Sequence, residues 1–118
     1  MRGWIGADRD ATLAKYNGWV NGGHIGEPVP AMVARVQSWL ASGQEVRIFT
    51  ARVYSDGTRS RDNEAEAALR VIQDWCFEHI GTILPVTCVK DFAMVELWDD
   101  RAVRVVQNEG RPCCGDAL

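Results

Sequence analysis

Two stretches of the chain repeat apolar residues at helical spacing. Between residues 30 and 42, Met32, Val33, Val36, Trp39 and Leu40 fall at i, i+1, i+4, i+7 and i+8, which is one stripe along a helix. Pro28 and Pro30 suit the entry to that helix, and Gly43 suits the residue just past its end. Between residues 61 and 80, Ala65, Ala68, Leu69, Ile72, Cys76 and Ile80 form a second stripe, which Gly81 closes. Shorter apolar runs at residues 4–7, 46–49, 86–89, 94–98 and 103–106 read as strands. Strands alternating with helices predict an α/β layered fold with a mainly parallel sheet and right-handed connections. Residues 16–30, rich in Gly, Asn and Pro, and residues 54–62, with the Asp56-Gly57 turn signal, read as loops. Residues 1–110 form the expected single core, and residues 111–118 a flexible C-terminal tail.

Composition narrows the class. At 118 residues, 47% hydrophobic and 25% charged, the chain has the make-up of one soluble globular domain. No apolar run approaches the ~20 residues that span a bilayer. The run Met1 to Gly6 is too short for a secretion signal, so the expected setting is cytoplasmic. A net charge of −3 argues against a broad nucleic-acid footprint. Arg47, Arg52, Arg59, Arg61 and Arg70 nevertheless gather in the middle third, which keeps a nucleic-acid end open as a substrate. Cys76 and Cys88 sit among apolar residues as small hydrophobes. Cys113 and Cys114 fall in the tail, and none of the four cysteines has zinc-ligand spacing.

The polar residues at the strand ends bring in chemistry. Ligands of an open parallel sheet bind outside the carboxyl ends of its strands. Here the first strand ends at Asp8 and Asp10, the second at Thr50 with Arg52 beyond it, the third at Lys90 and Asp91, and the fourth at Asp99 and Asp100. Asp8 and Asp10, two apart on extended backbone, project to the same side. One carboxylate of such a pair can attack phosphorus, and the other can protonate the leaving oxygen and later activate water. Mg²⁺ takes oxygen ligands and usually only one or two carboxylates, which Asp8 with Asp99 or Asp100 can supply. Thr50 can hydrogen-bond a phosphoryl oxygen, Lys90 can balance its charge, and Arg52 is a candidate second substrate contact.

These pieces, Asp8-x-Asp10-x-Thr12, Thr50, Lys90 and Asp99-Asp100, resemble in order the four motifs of the haloacid dehalogenase superfamily of aspartyl-phosphate hydrolases. The stretches His24-Ile25-Gly26-Glu27-Pro28, Arg47 to Val53 and Glu96 to Val103 look like its small phage and prophage members. The resemblance implies a three-layer Rossmann-like fold and a Mg²⁺-dependent phosphatase. It makes Asp8 the nucleophile and Asp10 the general acid/base, with the Asp10 carbonyl on the metal. It makes Thr12 a brace, Thr50 and Lys90 the phosphoryl holders, and Asp99, with Asp100 beside it, the metal ligand. The family usually has an apolar residue where Arg9 stands and Gly where Ala11 stands. Arg9 is expected to face a helix and to find a partner there. Ala11 is acceptable at negative φ.

Residues 13–31 and 53–62 are too short for an inserted cap domain, so the site is expected to be capless. By analogy, its substrate is a phosphorylated nucleotide or nucleic-acid end. Two other readings stand beside this one. The chain can be a catalytically impaired Mg²⁺/phosphate-binding module, or a phosphoacceptor domain, against which the Asp-x-Asp spacing and Thr12 speak. His24 reads as a loop residue, Trp19, Trp39 and Trp75 as packing, and Trp98 as a wedge beside the aspartate pair.

Overall fold

A computed structural model of the chain describes residues 3–16 and 26–114. Chain order is β1 (Trp4–Asp8), α1 (Pro30–Ala41), β2 (Glu45–Phe49), a 3₁₀ turn (Ala51–Val53), α2 (Arg59–His79), β3 (Val86–Thr87) and β4 (Met94–Trp98). All four strands are parallel, in the order β3-β2-β1-β4. The protein is therefore α/β.

The local reasons are visible in the sequence. Pro30 begins α1, where its missing N–H has no partner to lose. Beyond α1, Gly43 adopts φ +86°, its N–H donates to Leu40 O, and the Gln44 N–H donates to Trp39 O. That pair of bonds is a Schellman end, which requires a left-handed residue. α2 begins at Arg59, two residues before the expected start at 61, because the Thr58 side chain accepts from the Arg61 N–H and caps it. β1 lies between β2 and β4, and its first four residues are buried.

The strand path β1 to β2 to β3 moves one way across the sheet. Two right-handed crossovers in one direction place their helices on the same face. The core agrees: Ala7, Val46 and Ile48 from that face pack with Met32 and Val36 of α1 and with Ile72, Trp75 and Cys76 of α2. Trp39 meets Trp98 edge to face at 5.3 Å, and Arg35 lies over the Trp98 ring. Among the described residues the other face carries no helix. The 88–93 connection reaches it instead, where the Trp4 indole donates to Asp91 Oδ1 and Arg47 lies over the Trp4 ring.

The expected fifth strand at 103–106 does not form. Val105 pairs only with Pro112, the Val106 N–H donates to Arg111 O, and the Cys113 N–H donates to Arg104 O. Asn108 and Gly110, both at positive φ, turn the chain back between them. The start of the expected tail is thus one arm of this local turn. β3 is also shorter than expected, because only Val86 and Thr87 pair with β2.

Candidate functional site

Parallel pairing brings the ends of β1, β2 and β4 to one edge. Asp8 is opposite Phe49 of β2, so Thr50 comes next to it. Ala7 is opposite Trp98 of β4, so Asp99 follows at the level of Asp8. Carboxylate oxygens of Asp8, Asp99 and Asp100 lie within 4.8 Å of one another. Burial, a hydrogen bond with Asp100 and the charges of Asp99, Asp100 and Asp10 push the Asp8 carboxyl up to about 7. The Arg101 N–H donates to Asp99 Oδ1, and the Asp100 N–H donates to Thr12 Oγ1, which ties the loop after β4 to the loop after β1.

The loop after β1 is a tight turn. The Leu13 and Ala14 N–H groups donate back to Arg9 O, and the Ala11 N–H donates to Ala14 O. This path puts Ala11 at φ +67°. The condition of negative φ is not met: the turn holds Ala11 in the left-handed conformation that Gly adopts freely.

Arg9 follows the alternation of β1 onto the helix-covered face and is fully buried. Burial pulls its proton affinity down, and the Asp10 carboxylate opposes that shift. Its Nη2 lies 2.8 Å from Asp10 Oδ1. Arg52 Nε donates to Asp10 Oδ2 at 3.0 Å. The structure thus ties Arg52, expected at substrate, to Asp10. The side chain of Asp10 is held by two guanidinium groups, which its sequence context did not suggest. The available signal was an arginine lodged between two strand-end aspartates.

Thr50 is buried at the end of β2, and its Oγ1 accepts from the Arg52 N–H at 3.2 Å. The hydroxyl proton remains able to donate. Lys90 is exposed on the 88–93 connection, between Thr87, which pairs with Phe49 of β2, and Asp91, which accepts from the Trp4 indole. His24 and Trp19 lie outside the described residues. The Trp75 indole donates to Gly26 O, a packing role.

The donor set fits a hard divalent cation. Three converging carboxylates offer only oxygen, the donor atom such a cation takes. The chain matches no family model, no curated protein and no solved structure.

Proposed function

We propose that the chain is a Mg²⁺-dependent phosphomonoesterase with Asp8 as nucleophile. The convergence of Asp8, Asp99 and Asp100 at the carboxyl edge of a parallel sheet carries this reading. The order of the strand-end residues supports it, through its resemblance to the haloacid dehalogenase superfamily. In this reading the chain is a capless, Rossmann-like hydrolase core whose third layer is reduced to the 88–93 connection. Its substrate is a phosphorylated nucleotide or nucleic-acid end.

Asp8, Asp99 and Asp100, with the Asp10 carbonyl, would hold the ion, whose charge keeps Asp8 ionised and offsets that of the phosphoryl group. The chain's own groups then act in two steps. An Asp8 oxygen bonds to phosphorus while the ester P–O bond breaks, and Asp10 gives a proton to the departing oxygen. Water next attacks the phosphorus of the aspartyl phosphate and loses a proton to Asp10. The bond to Asp8 breaks, and phosphate leaves. The Thr50 hydroxyl donates to a phosphoryl oxygen. Lys90, exposed on the 88–93 connection, would balance the charge of the phosphoryl group.

The test is hydrolysis of 4-nitrophenyl phosphate and of 5′- and 3′-phosphorylated oligonucleotides with Mg²⁺. Turnover abolished in Asp8→Asn is expected. No turnover by the native chain on any of the three, or full turnover by Asp8→Asn, refutes the reading.

A specific observation favours a second reading, a module that binds Mg²⁺ and phosphate without turnover: Ala11 occupies a left-handed position where the resembled superfamily has glycine. Thermal stabilisation by phosphate that requires Mg²⁺, with no product formed, is the result that favours this module.

A further inference from the structure

Arg9 takes no part in the reaction set out above, yet its side chain is fully buried. Its Nη2 faces Asp10 Oδ1 at 2.8 Å, too poorly aligned for a hydrogen bond, and its Nε and Nη1 have no hydrogen-bond partner. A buried guanidinium with unpartnered N–H groups weakens a fold. An apolar side chain of similar volume in its place is often neutral or stabilising. The residue therefore makes poor sense as packing. What distinguishes it from an aliphatic side chain is its charge, and that charge is placed on Asp10. Arg52 holds the other oxygen of the same carboxylate, from a turn on β2's end of the site. Asp10 in turn is close enough to Asp8 for its charge to act there.

We infer that Arg9 is a positioning residue: with Arg52 it grips Asp10 by both carboxylate oxygens and fixes that side chain beside Asp8. The inference rests on the proposed roles of Asp8 and Asp10. Arg9 meets no substrate and acts through Asp10 alone. A carboxylate held at two points loses its rotation about the side-chain bonds. Its proton transfers then occur from one place, where small displacements are costly in rate.

The experiment uses the full chain and the variants Arg9→Met, Asp10→Asn and the double variant. Arg9→Met is expected to lower kcat on 4-nitrophenyl phosphate by roughly 10- to 100-fold, with KM changed by less than about threefold. Its thermal midpoint should stay the same or rise, and its Mg²⁺ affinity, set by Asp8, Asp99 and Asp100, should not change. In the unfolding cycle, Asp10→Asn should lower the midpoint of the native chain, by leaving a buried cation unpaired, and should have little effect in Arg9→Met. An unchanged or higher kcat in Arg9→Met overturns the inference, as does an additive unfolding cycle. If the native chain turns over nothing, the phosphatase reading fails, and the unfolding cycle alone still decides whether Arg9 holds Asp10.

Discussion

Replacing Ala11 by glycine tests the site loop at its most strained point. Ala11 stands at φ +67° with its methyl group exposed, and its N–H is bound to Ala14 O. An L-residue in the left-handed region costs roughly 1–2 kcal/mol. Glycine removes that cost but brings a more flexible unfolded chain, worth roughly 0.5–1 kcal/mol. No packing is lost with an exposed methyl, so Ala11→Gly should stabilise by about 0.5–1 kcal/mol. With an unfolding entropy of about 2.1 cal/mol/K per residue, this is a rise of roughly 2–4 °C in midpoint for a chain of this length. The control is Ala67→Gly, the same substitution on the exposed side of α2. There φ is helical, and glycine should lower the midpoint by roughly 4 °C, from about 1 kcal/mol. Differential scanning calorimetry of both variants gives the answer. Equal falls in the two would refute the left-handed conformation at Ala11 and the loop path built on it.

The raised Asp8 carboxyl predicts a pH dependence. A carboxyl near 7 when folded and 3.8 when unfolded favours the folded protein at low pH, so without Mg²⁺ this contribution is lost as pH rises through 7. Mg²⁺ must displace that proton, so calorimetric titration should show its affinity rising about tenfold per pH unit below 7 and levelling above; a flat profile contradicts the assignment. Asp99→Asn removes one of the charges that act on Asp8. At pH 8 it should raise the metal-free melting midpoint and abolish the stabilisation by Mg²⁺, and a retained Mg²⁺ shift places the ion elsewhere. Gly43→Ala meets no neighbouring atom, but its φ of +86° remains. Its melting midpoint should fall by roughly 4 °C, about 1 kcal/mol, and an unchanged midpoint argues against the Schellman end of α1.

Both helices, and the strands β1, β2 and β4, can be read from the chain because each declares itself locally. The 3.6-residue repeat of Met32, Val36 and Leu40 and the glycines after each helix need no knowledge of the rest of the fold. The same holds for the acidic strand ends: once the strands are parallel, Asp8 and Asp99 must share an edge. Residues 103–106 misled because an apolar run records only a tendency to extend and not the neighbour it pairs with. The turn at Asn108 to Gly110 folds that run onto residues 111–113 instead. Lys90 reads from the sequence as the end of the third strand, but β3 pairs only at Val86 and Thr87, so Lys90 lies on the connection beyond it.

By itself, the sequence determined the order of elements, their α/β alternation and the set of acidic groups at the carboxyl ends, since local periodicity and chain direction suffice for those. Only the tertiary structure decided the pairing within that set. Asp100 came against Asp8, Arg9 lay buried on the helix-covered face against Asp10, and Arg52 reached Asp10 from the turn after β2. Side chains far apart in the chain meet only through packing, and the strain at Ala11 arises only when the loop closes onto those neighbours. Whether Asp8 is a nucleophile or only a metal ligand turns on that second group of contacts.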